Sequence, residues 1–102
     1  MNSKNKRKLP VTGIADFCKR WKVKEFSIFG SILREDFKPD SDVDVLLSFN
    51  EDAQWGLFEF VDMKEELKKI FGREVDIIEK EALKNPFRQR EILRARKVIY
   101  AA

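Results

Sequence analysis

Hydrophobic positions along the chain alternate between a helical and a strand period. After Pro10, Ile14, Phe17, Cys18 and Trp21 fall at i, i+3, i+4 and i+7, one face of a helix that Thr12 is placed to cap. Asp16 in its first turn and Lys19, Arg20 and Lys22 in its last suit the helix dipole. Glu25 to Phe29 then reads as a first strand, and Asp42 to Phe49 as a second. Side chains two apart on a strand share a face, so Val43, Val45 and Leu47 point into a core while Asp42 and Asp44 project together on the other side. After a polar loop from Asn50 to Gln54, Trp55 to Phe71 is the longest predicted helix. Its core stripe is Leu57, Phe60, Val61, Leu67, Ile70 and Phe71, Glu65 and Lys69 form an i, i+4 pair, and Gly72 is its stop. Glu74 to Glu79 is a third strand, with Asp76 between inward-pointing Val75 and Ile77. Asn85 as cap and Pro86 at the first helical position open a final helix. It is predicted to run to about Tyr100, burying Ile92, Ala95 and Ile99 and laying Arg90, Arg94 and Lys97 along a separate stripe.

Two features interrupt this pattern and carry the candidate chemistry. The first is Gly30-Ser31, a corner between the first strand and a short helical turn. Glycine lets a ligand approach the backbone, amide N–H groups at a helix start point outward, and the serine hydroxyl donates as well, which makes a phosphate cradle. A Gly-Ser corner by itself is most often only a turn. The second feature is acidic. Asp40 fits turn chemistry in Lys38-Pro39-Asp40-Ser41, but Asp44 stands among Val43, Val45, Leu46 and Leu47, where acids are depleted. Paired like charges call for a cation between them, and a divalent ion with oxygen preference, magnesium, is the natural candidate. Asp76 offers a third carboxylate on another apolar strand.

Composition narrows the chemistry further. The chain has 102 residues and no histidine, so serine–histidine and cysteine–histidine catalysis lack their base. Its one cysteine can form neither an internal disulfide nor a zinc site of the Cys/His kind, and Cys18 falls on the buried stripe as a core residue. Any metal must therefore be held by carboxylates. Nothing resembles a membrane span or a signal peptide, and the expectation is a cytoplasmic protein with no membrane partner. The net charge is +3, and Lys4, Lys6, Arg7 and Lys8 in an N-terminal arm, residues 1–10, exceed that total. The remainder, residues 11–102, reads as one domain without the basic face of a nucleic-acid reader, so direct nucleic-acid binding is not expected. The arm itself is either a solubilising tail or a site of weak phosphate or partner contacts.

Gly30-Ser31, ten further residues, Asp42-Val43-Asp44, and Asp76 in a later Val-Asp-Ile-Ile strand together resemble the nucleotidyltransferase superfamily of DNA polymerase β. The shortness of the chain, the run Lys38-Pro39-Asp40-Ser41-Asp42 and the Asn85-Pro86 helix start are most similar to minimal nucleotidyltransferases, the antitoxin halves of HEPN/MNT toxin–antitoxin pairs. The resemblance spans Val11 to Tyr100. It implies an α/β fold, a small mixed sheet flanked by helices. It implies that Gly30 and Ser31 hold the triphosphate of ATP, with Arg34 facing the phosphates. Asp42, Asp44 and Asp76 would bind two magnesium ions, and Asp76 would also act as, or position, the base. The implied reaction is transfer of AMP from ATP to a hydroxyl, a tyrosine, of a cognate HEPN ribonuclease toxin, which is thereby silenced. The alternative is an antitoxin that neutralises the toxin by binding alone. One departure stands out: many relatives carry glycine where this chain has Glu35, a carboxylate that would repel a triphosphate unless it turns to solvent.

Overall fold

The computed structural model describes residues 11–30 and 42–101. The N-terminal arm, and in the stretch after Gly30 the residues Ser31, Arg34, Glu35 and Asp40, lie outside the described residues. Helix α1 (Val11–Arg20) leads into strand β1 (Val23–Phe29), followed by β2 (Val43–Phe49), α2 (Leu57–Phe71), β3 (Val75–Glu79), a 3₁₀ turn (Lys80–Ala82), α3 (Pro86–Ala95) and β4 (Lys97–Ala101). The four strands form one sheet in the order β3-β2-β1-β4. β1 is antiparallel to both β2 and β4, whereas β2 and β3 run parallel, so the sheet is mixed as expected.

The period-2 pattern of the strands decides where the core lies. Phe26, Ile28, Val43, Val45, Leu47 and Val75 face one side and are buried against Ile14, Phe17 and Cys18 of α1 and Met63 and Leu67 of α2. Burial pushes the Cys18 thiol up to about 12, so it is an inert core residue. The alternate positions, Ser27, Asp44, Leu46, Ser48 and Asp76, fall on the opposite face. There Ser48 donates to the Glu81 carboxylate of the 3₁₀ turn.

Helix ends and rotations depart from the sequence expectations in several places. Thr12 lies inside α1 rather than capping it, and Asp16 falls beyond the first turn. Trp21 sits just past the helix end, half-buried, with its ring 5.2 Å from that of Trp55. Its indole N–H donates to Glu66 at 3.0 Å. α2 begins at Leu57, where the Glu59 carboxylate accepts from the Gly56 N–H at 2.8 Å. Its buried residues are Met63 and Leu67; Phe60, Ile70 and Phe71 pack at the margin, whereas Leu57 and Val61 are exposed. Glu65 pairs with Lys68, at 3.5 Å, rather than with Lys69, and Lys68 also reaches Glu74 at 3.2 Å.

The largest correction concerns the C-terminal stretch. The Asn85 side chain does accept from the N–H groups of Phe87 and Arg88, at 2.9 and 3.2 Å, with Pro86 at the first helical position. The helix nevertheless stops at Ala95, which is exposed. Ile99 belongs to β4, and Lys97 stands on that strand too, so Arg90, Arg94 and Lys97 do not share a helix stripe. Lys97-Val98-Ile99-Tyr100 is β-branched and aromatic, and it covers the edge of β1 that would otherwise be open, pairing Ile28 with Lys97 and Phe26 with Tyr100. Arg96, between helix and strand, pairs with Glu25 of β1, whose other oxygen lies 3.7 Å from Lys80.

Gly72 ends α2 as the sequence predicts, at φ 72° with its N–H donating to the Lys68 carbonyl. A Cβ there would meet nothing within 4 Å. Gly72→Ala is therefore expected to cost only the backbone term, about 1 kcal/mol, read as a lowered midpoint in urea with the slope unchanged.

Candidate active site

Three strands bring the candidate residues to one end of the sheet. β1 arrives there at its C-terminal end, where Phe29 pairs with Asp44. β2 and β3 start from that end, and because they are parallel and in register, Asp44 pairs directly with Asp76. Paired residues on neighbouring strands point to the same face, so the two carboxylates stand side by side. Asp42, exposed just before β2, is two residues from Asp44 and acts on it electrostatically. Of the three aspartates expected from the sequence, the structure pairs Asp44 with Asp76 and leaves Asp42 at the same end of the sheet, just outside β2.

Gly30 has a role more specific than backbone access for phosphate. Its φ is +80°, a region L side chains rarely adopt, and a Cβ there would stand 2.3 Å from Asp44 Oδ2 and 3.3 Å from its Cγ. The space into which the Asp44 carboxylate folds exists because residue 30 has no side chain.

The Asp44 carboxyl is held above its ordinary value, first by burial, then by the charges of Asp76 and Asp42; the guanidinium of Arg88 pulls the other way. Arg88, in the first turn of α3, is the residue that sequence reasoning missed. The Asn85-Pro86 signal placed it at a helix start, but nothing local says that this turn lies within electrostatic reach of Asp44.

The donor set fits a hard divalent cation: all oxygen, acidic, and electrostatically unfavourable without a positive charge. Among the described residues no three acidic or thiol groups converge as a closed cage for one ion. Magnesium does not require one, because it is commonly bound by one or two carboxylates together with substrate phosphates and water. Beyond Asp76 the surface opens into a groove of about 350 Å³, lined by Phe60, Val61, Lys64, Asp76 and Ile77.

Gly30 at the end of β1 thus stands beside Asp44, which pairs with Asp76 on the parallel neighbour, and Asp42 lies just before the same strand. The chain belongs to the nucleotidyltransferase domain family, whose profile matches residues 12–99. It is 39% identical over 66 residues to the protein adenylyltransferase MntA of Thermococcus cleftensis, 65% of each chain. It is 34% identical over 73 residues to a Methanocaldococcus jannaschii protein provisionally named a protein adenylyltransferase, covering 72% of this chain and 73% of that one. Among solved structures, one provisionally described as a minimal nucleotidyltransferase superposes with a TM-score of 0.70 at 28% identity, over 85% of this chain and 86% of the other. A toxin–antitoxin structure with AMP-PNP superposes with a TM-score of 0.74 at 14% identity, over 92% and 75% of the two chains, and shares the fold. The antitoxin in a complex with a tri-AMPylated HEPN toxin of Shewanella oneidensis shares it too, with a TM-score of 0.66 at 12% identity, over 94% and 73%.

Proposed function

We propose that this chain is a protein adenylyltransferase that neutralises a HEPN-type ribonuclease toxin by transferring AMP from ATP to a hydroxyl of the toxin, a tyrosine. The observation that carries this reading is the in-register pairing of Asp44 with Asp76, beside Gly30 and two residues from Asp42. The names of its relatives agree with it.

Gly30, Ser31 and Arg34 are assigned to the triphosphate, and Asp42 and Asp44, with Asp76, to the metal. Magnesium bound there would neutralise charge on the reacting and leaving phosphates. Asp76 is assigned to act as, or help position, the base that takes the proton of the acceptor hydroxyl. The hydroxyl oxygen then bonds to the α-phosphorus as the bond to the β-phosphate oxygen breaks, and pyrophosphate departs. We assign the protein to the cytoplasm because this reading gives it a ribonuclease target and ATP as substrate. None of the described helices is long and apolar enough to cross a membrane. A HEPN-type partner incubated with this chain, ATP and magnesium should gain mass in steps of one adenylyl group. A partner whose mass is unchanged after prolonged incubation overturns the reading.

A further inference from the structure

The first half of α2 presents apolar side chains to solvent. Leu57, Phe58 and Val61 are 78%, 84% and 52% exposed, in a chain where 38% of residues are charged. The helix does not need them for its own packing, since Phe60, Met63, Leu67, Ile70 and Phe71 already form its inner face. Leu57, Val61 and Lys64 follow one another at i, i+4 and i+7, a continuous stripe beside that face. Contiguous exposed apolar surface of this kind marks an interaction site more often than scattered apolar residues do.

The stripe leads to the β3 edge of the sheet, and the Asp76 carboxylate stands across that edge on the other face. Val61 and Lys64 line the same groove as Asp76 and Ile77. β3 is the edge strand of the sheet, so among the described residues no strand closes the groove from that side. Lys64 makes no ion pair within the described residues.

We infer that the Leu57–Phe58–Val61 surface and the adjoining groove are the docking site for the acceptor segment of the partner protein. That segment would set apolar side chains on Phe58 and Val61, direct an acidic side chain at Lys64, and cross the β3 edge to bring its hydroxyl-bearing residue to Asp76 on the other face of the sheet. The assignment rests on the proposed transfer to a protein acceptor and deepens it by naming the surface that selects the acceptor. The cation favours an acidic partner segment over a wholly apolar one, and continuity with Asp76 favours an acceptor over a second copy of this chain.

The test uses the full chain and a purified HEPN-type partner, with Phe58→Asp and Val61→Glu singly and together, and Lys64→Glu beside Lys64→Arg. Phe58 is the second residue of α2, where an aspartate suits the helix dipole, so folding should be retained; the thermal midpoint checks this. The double variant should raise the KM for the partner about tenfold or more, as loss of interface anchors does. Turnover at saturating partner and ATP affinity should stay as in wild type, because no group assigned to the chemistry is touched. Lys64→Glu should weaken docking in a salt-dependent way, and Lys64→Arg should restore it. If wild type transfers AMP and the double variant does so with an unchanged KM, the docking assignment falls and the proposed function stands. If wild type neither modifies nor binds the partner, the proposed function falls and takes this occupant with it. A wild-type dimer that the same substitutions dissociate, with partner KM unaffected, would assign the surface to self-association and overturn the inference.

Discussion

Asp44→Asn is expected to abolish AMP transfer while making the metal-free protein more stable. With Asp44 holding the metal as proposed, the loss should be about a thousandfold or greater, because a ligand and a charge would leave a site that stabilises several kcal/mol of developing phosphate charge. The gain in stability follows from the raised carboxyl of Asp44, caused first by burial and then by Asp76 and Asp42. A raised acid contributes stability that is fully present below the ordinary aspartate value and is lost as pH rises through the folded value. Above the folded value the ionised wild-type side chain is therefore unfavourable, and the amide removes that cost. The melting temperature of Asp44→Asn should exceed that of wild type above the folded value, and the difference should shrink as pH falls towards the ordinary carboxylate range. Magnesium with ATP should raise the wild-type midpoint and leave the variant nearly unmoved, since a ligand stabilises only the state that binds it. A variant that is less stable than wild type without metal, or that still transfers AMP, would contradict the site as drawn.

Gly30→Ala is expected to be the most damaging change outside the aspartates. Its φ of +80° alone costs an L residue about 1 kcal/mol, equivalent to a lowering of the melting temperature by roughly 4–8 °C. The added Cβ, 2.3 Å from Asp44 Oδ2, must also move that carboxylate. Displacement of a reacting or ligating group by an ångström costs about a hundredfold in rate. Gly72→Ala separates the two effects. Gly72 has nearly the same φ, 72°, but open space around it. Both variants should lose comparable stability, and only Gly30→Ala should lose transfer. Equal activity in the two would show that the close approach to Asp44 is without consequence.

What could be read from the chain alone was whatever depends on neighbours in sequence. Alternation along Val43-Asp44-Val45 placed two valines in the core and the carboxylate between them on the other face, and both placements hold. Asn85-Pro86 and Gly72 marked a helix start and a helix stop because capping is a local hydrogen-bond problem. Four matters were decided only by tertiary contacts. Ile92, Ala95 and Ile99 fit a helical period, yet the chain turns to strand after Ala95, because the edge of β1 needed a partner and Lys97 to Ala101 supplied it. Leu57 and Val61 satisfy the amphipathic pattern of α2, but the rotation of the helix on the sheet buries Met63 and leaves them in solvent. Arg88 acts on Asp44 from a turn more than forty residues away in the chain, and Gly30 makes room for the same carboxylate across a strand pair. Periodicity fixes which way a side chain points relative to its own element; which elements meet, and what stands opposite, is set by packing the whole chain at once.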